Sequence, residues 1–169
     1  MKTITSKLVL IAIVFISGIL SAEPLKVGVV DVQAAIEASH HFSKIKTTLD
    51  QEFAPIETDL KSLNNEIITL ENRLMKDAAI MGESEARRLQ QEINQKKNSL
   101  KFESYEAQRK LAARQQELSY PVLKLAEQAV DEIVKEKNYD LILPQQAVVY
   151  FKDEYDVTKL LTEKLNLKK

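Results

Sequence analysis

His40 and His41 are the only histidines of the chain, and Ser39 precedes them, so any nucleophile, base or metal-ligand chemistry would have to begin there. Neighbours in sequence project in different directions, so the two imidazoles are not expected to converge on one ion. Ser39 beside them does not complete a triad, whose members come from separate parts of a fold. The absence of cysteine removes disulfides and thiolate metal sites. Beyond residue 22 the only glycines are Gly28 and Gly82, too few for a loop that cradles phosphate. Carboxylates are abundant but interleaved with Lys and Arg along helical stretches, the pattern of a solvated face. These residues point to a protein that is not an enzyme, with no cofactor and no metal.

The elements that carry these residues are dominated by one pattern. Ile45, Leu49, Phe53, Ile56, Leu60, Leu63, Ile67, Leu70 and Leu74 recur in steps of three and four with polar residues between them. That is a coiled-coil seam, one narrow apolar stripe that needs a long partner helix. After Met81-Gly82-Glu83-Ser84 a second charged segment keeps roughly the same period through Leu89, Ile93, Leu100, Leu111, Leu118 and Leu125. A lone glycine between two periodic runs marks a reversal, so the two segments are expected to form an antiparallel helical hairpin over residues 43–121. Lys96 and Arg114 stand where the second seam calls for apolar residues, which predicts weaker packing on that helix. Pro55 and Pro121 lie inside the helices and are expected to bend them.

The ends of the chain must supply the globular body, residues 23–42 and 122–169. Leu25 to Val30 suits a buried strand, and Asp31 caps a short helix after it. Tyr139 to Leu143 and Ala147 to Phe151 read as two further strands, followed by a helix capped by Asp156. Such a body is near the lower size limit for an independent core and is expected to oligomerise. Before it, Lys2 and Lys7 lead a charge-free run, Leu8 to Leu20, closed by Ser21 and Ala22. Residues 1–22 therefore read as a cleaved signal peptide, the run being short for a membrane span of ~20 residues. Cleavage removes two of 24 basic residues and none of 25 acidic ones, leaving a charge of −3. That mild acidity argues against a nucleic-acid partner.

The runs Lys26-Val27-Gly28-Val29-Val30-Asp31-Val32, Leu49-Asp50-Gln51-Glu52-Phe53 and Tyr139-Asp140-Leu141-Ile142-Leu143, with Val149-Tyr150 and Asp156-Val157-Thr158, resemble the Skp/OmpH family of periplasmic chaperones in order and in the hairpin between them. The resemblance implies an α+β fold, a long helical hairpin projecting from a small β body that is completed by trimerisation. It further implies that three hairpins surround a cavity holding unfolded outer-membrane β-barrel proteins, without nucleotide, in the periplasm. Trimer contacts are then expected at Val27, Val29, Leu141, Leu143 and Val149.

Unfolded clients of this class expose strand edges and an apolar face, and holding them takes many weak contacts. Apolar residues off the seam would serve: Ile68 and Met75, Ile80 and Met81 near the tip, and the pair Phe102 and Tyr105. Lys76, Arg87, Arg88, Lys96 and Lys97 cluster toward the tip as a candidate patch for anionic lipid. Asp77, Glu83, Glu85 and Glu92 are interleaved with them and favour a solvated mixed-charge face instead. The alternative of another class is an envelope coiled-coil scaffold or adaptor, which the seam fits equally well but which leaves the sheet-forming ends without a purpose.

Overall fold

The computed structural model describes residues 24–168, so the signal-peptide reading of residues 1–22 lies outside the described part. Strand β1 (Val27–Val30) leads into α1 (Val32–Glu37) and two long helices, α2 (His40–Asp77) and α3 (Glu83–Lys137). Strand β2 (Leu141–Pro144) and helix α4 (Thr158–Leu167) follow. The fold is α+β, a long helical hairpin standing on a two-stranded sheet built from both ends of the described chain.

Local chemistry sets the boundaries. Asp31 accepts from the Ala34 amide at 2.9 Å and starts α1. The Ser39 hydroxyl accepts from the Phe42 amide at 3.4 Å and donates to the Ile36 carbonyl at 2.6 Å, so α2 begins at His40 rather than at Ser43. Asn138 ends α3 in the left-handed conformation at φ 53°. The chain reverses over residues 78–82, where the Ile80 and Met81 amides donate to the Asp77 carbonyl at 3.0 and 2.8 Å. Gly82 stands at this reversal, yet its φ of −64° and the open space around it make no demand for glycine. Both helices run on through Pro55 and Pro121, which deprives the carbonyls of Gln51 and Glu117 of their amide partners.

Strands β1 and β2 pair in parallel, Val27 opposite Leu141 and Val29 opposite Leu143, with the entire hairpin as the crossover. On its other side β1 bridges to Asp156, and the Val157 amide donates to the Val29 carbonyl at 2.9 Å. Gly28 is closely packed here: a Cβ would lie 3.3 Å from both Tyr139 and Val157 side chains, which would have to give by a few tenths of an ångström. The expected third strand, Ala147 to Phe151, does not form. Residues Gln145–Ala147 make a single 3-10 turn, and the chain after it has no ladder partner. Both sides of β1 are taken, and after Pro144 the chain leaves through the 3-10 turn without returning to the open edge of β2, so β-branched residues give propensity for a strand but no pairing. Beneath the sheet, Val30 and Ala35 pack with Ala126, Ala129 and Ile133 of α3 and with Val157, Leu161 and Leu165.

Candidate functional site

The arm made by α2 and α3 carries most of the residues singled out above, and its seam is built in two ways. Toward the tip, Ile67, Leu89 and Ile93 are buried together, ringed by Leu63, Leu70, Leu74, Met81 and Leu100. In the lower arm no residue is buried between Ile45 and Ile67 on α2, or between Ile93 and Val122 on α3. The polar seam residues instead reach across to the other helix. At the edge of the tip cluster, beside Ile67 and between Ile93 and Leu100, Lys96 Nζ donates to Glu66 at 2.7 Å, and in the lower arm it is Arg114 that crosses the seam. Arg114 makes a fork to Glu52, Nε and Nη2 each 2.8 Å from a carboxylate oxygen, while its Nη1 lies 2.9 Å from Glu117. The hydrogen bond from Arg114 holds the Glu52 carboxyl below its ordinary pKa, and the bonds from Glu52 and Glu117 push the Arg114 guanidinium up. Glu66 likewise raises Lys96. Apolar periodicity has no means of finding these pairs, but the reversal point does. Counting back from Gly82 sets Arg114 level with residue 50, within a turn of Glu52.

The off-seam apolar residues are placed as follows. Ile68 is 46 % exposed, Met75 70 %, Ile80 87 %, Phe102 65 % and Tyr105 62 %. Met81 differs, being half-buried against the tip cluster. The residues do not form one patch. Counted from the Glu66–Lys96 pair, Phe102 lies ~12 Å further down the arm than Ile68. Tyr120 and Leu123 are exposed too and were missed by the sequence reading. Their signal was available, since Tyr120 follows Phe102 by about five whole turns on the same face of α3.

Of the basic set at the tip, Arg87 is paired with Glu83 at 2.6 Å, Lys96 with Glu66 at 2.7 Å and Lys97 with Glu71. A mixed-charge face therefore describes three of the five positions. The two histidines do not diverge as adjacency in sequence led us to expect. Their rings stack at 4.4 Å, because both lie in the first turn of α2, where His41 Nε2 reaches the Leu165 carbonyl at 3.0 Å. Among the described residues there is no cluster of His, Asp and Glu able to hold a metal, and no helix long and apolar enough to cross a membrane.

In the body, Val29 is buried within its own chain, Val27 and Leu143 are half-buried, and Leu141 is exposed. Val149, expected on a strand, lies instead in the unpaired stretch and is fully exposed, as is most of Tyr150. The outer edge of β2 faces no other strand among the described residues.

A family model described as outer membrane protein (OmpH-like) matches residues 26–165. A Skp-like protein of Pseudomonas aeruginosa is 25% identical over 142 residues, 84% of each chain. The chaperone protein Skp of Vibrio cholerae is 22% identical over 134 residues, 79% of each chain. Among solved structures, an OmpH-like outer membrane chaperone of Caulobacter crescentus superposes with a TM-score of 0.68 over 85% of each chain at 12% identity, a likeness of fold.

Proposed function

Since the chain belongs to the Skp/OmpH family, we propose that it is a periplasmic holdase that encloses unfolded outer-membrane β-barrel proteins between its arms, without nucleotide or catalysis, and prevents their aggregation in transit. One observation carries this reading. Ile68, Met75, Ile80, Phe102 and Tyr105 stand exposed on an arm whose two helices meet through an apolar core near the tip and the Glu52–Arg114 fork lower down. Apolar side chains that the arm does not need for its own packing are available to a client. Their scatter along the arm suits many weak contacts with a chain of no fixed shape.

The reading divides the mature chain into a body, 23–42 with 122–169, and a tentacle, 43–121, with three bodies joined. The open edge of β2, the exposed Leu141 and the unpaired stretch around Val149 support this assembly, since each leaves strand-forming or apolar surface without a partner among the described residues. Leu141→Asp is the informative variant. Val29→Asp would put an unpaired charge into the chain's own core and so unfold the body before it reported on assembly. Sedimentation of the wild type should give a trimer at micromolar concentration and of Leu141→Asp a smaller species; a folded wild-type monomer would refute the assembly.

The function is tested by diluting an unfolded outer-membrane protein out of urea with and without the purified protein, following light scattering and the mass of the complex. Suppressed scattering with one client per three chains is the expected outcome. Unchanged scattering would remove the chaperone reading and leave the envelope scaffold.

A further inference from the structure

A groove of about 340 Å³ opens in the lower arm, floored by Ile56 and Leu60 and bordered by Asp59, Phe102, Glu103 and Glu106. That volume is at the small end of the ~300–1,000 Å³ typical of ligand pockets, enough for one or two side chains. Phe102 lines it yet is 65 % exposed, so most of the ring is open to solvent. Glu106 follows Phe102 by one turn on the same face of α3, and Glu103 and Asp59 border the same groove. Asp59 and Glu103 have no cation within salt-bridge distance among the described residues. Glu106 is held at 3.3 Å by Arg109. Lys110 is the single cation of the lining, so three carboxylates and one ammonium leave it at −2.

An exposed aromatic ring in a groove bordered by carboxylates, Asp59 and Glu103 without a cation partner among the described residues, is suited to a guanidinium, whose plane stacks on the ring while its donors meet the oxygens. The Ile56 and Leu60 floor gives an adjoining apolar side chain a place to leave water. We propose that this groove binds unfolded client segments in which an arginine stands beside a large apolar residue. The inference rests on the chaperone reading and names the class of segment that the lower arm selects. It also gives a use to the acidity of a chain whose net charge offers no general attraction for acidic clients.

The probe is a short fluorescein-labelled peptide with a central Arg-Phe in a Ser- and Leu-containing sequence, compared with the same peptide carrying citrulline or Glu in place of Arg. Anisotropy with the full protein should rank Arg above citrulline above Glu. The isosteric triple variant Asp59→Asn, Glu103→Gln, Glu106→Gln, checked for helicity by circular dichroism, should bind the Arg peptide about tenfold more weakly and lose the Arg-over-citrulline preference. Lys110→Gln, which leaves the floor and the carboxylates in place, should tighten the Arg peptide by about two- to threefold. Equal affinity for all three peptides, or a triple variant with unaltered affinity, overturns the proposal. A triple variant that shifts the sedimentation of the protein while peptide binding stays the same also overturns it, by assigning the groove to a second copy of the chain. The scattering assay separates the two readings: a wild type that suppresses aggregation without preferring arginine loses only the groove, whereas one that fails to suppress loses the chaperone function.

Discussion

Near the tip of the arm, Ile67 meets Leu89 and Ile93 out of contact with water; lower down, Glu52 meets Arg114, and nothing around them is buried. The same two helices make both regions, and the stripe on α2 keeps its period through both. What differs is the residue that α3 offers. Where it offers Leu or Ile, the seam becomes a small core held by loss of apolar surface from water. Where it offers Arg114, the seam is a charge-assisted fork still open to solvent, whereas Lys96, set between Ile93 and Leu100, bonds Glu66 at the edge of the tip core. Periodicity in one helix fixes which face is inward, and the partner's chemistry fixes which force acts there.

The largest effect should come from the tip. Ile93 is 1 % exposed, and Ile93→Ala removes its side chain from the centre of the cluster, at a cost of about 2–5 kcal/mol. Hydrogen exchange read by mass spectrometry should show faster exchange at the upper parts of α2 and α3, with the body unchanged. Leu60→Ala, at a half-buried position in the lower arm, should cost clearly less. Equal costs at the two positions would erase the distinction between the regions.

Breaking the Glu52–Arg114 fork comes second. Arg114→Ala should speed exchange around residues 48–56 and 110–118 and leave the tip cluster protected, and the difference from wild type should shrink as salt is raised. The pH dependence has a definite sign. Glu52 has a lowered pKa because Arg114 bonds its charged form, so its contribution is present above the unfolded carboxylate value of ~4.3 and is lost as pH falls through the lower folded value. Thermal melts of wild type and Glu52→Gln should therefore be separated by the same interval at pH 6 and pH 8, and should converge only as pH falls below the lowered folded value of Glu52. Replacing both partners, Glu52→Gln with Arg114→Leu, turns the pair into an ordinary seam contact and should restore part of the protection. Failure of the double variant to exceed Arg114→Ala would mean that the lower arm is not limited by its seam.

These contrasts also mark how far the sequence could be read. The hairpin was legible because a three-and-four spacing is a local property, complete within each helix. Strands β1 and β2 were legible for the same reason, as short β-branched runs with turn residues beside them. The segment from Ala147 to Phe151 has that composition too, yet a strand exists only where a neighbour offers a ladder, and among the described residues it pairs with none. The cross-arm ion pairs lie 62 and 30 residues apart in sequence, and they emerge only when the register of the hairpin is known. The groove at Phe102 is of the same kind, since α2 and α3 each supply only part of its lining. The exposed positions Ile68, Met75, Phe102 and Tyr105 were visible as departures from the seam, whereas Met81 was not separable from them because its packing depends on how the turn folds back.

The smallest effect, and the finest test of the comparison, concerns the prolines. Pro55 leaves the Gln51 carbonyl without an amide partner, and Pro121 does the same to Glu117. Both gaps fall at one level of the arm, next to Glu52 on α2 and at Glu117 itself on α3, and Arg114 bonds both of those carboxylates. The ion cluster thus spans the place where both backbones have lost a hydrogen bond, in a region with no buried apolar residue to stiffen it. A bend in α2 at this point would be transmitted along the rest of the helix to the tip. Pro55→Ala restores one backbone bond and should leave the assembly folded while narrowing the distribution of tip-to-tip distances, measured between spin labels at position 80. In the Arg114→Ala background the wild-type proline should broaden that distribution further, and Pro55→Ala should then have its greater effect. Identical widths in all four proteins would show that the lower arm is as rigid as the tip, and that the ion cluster adds nothing to a backbone already fixed by the two helices.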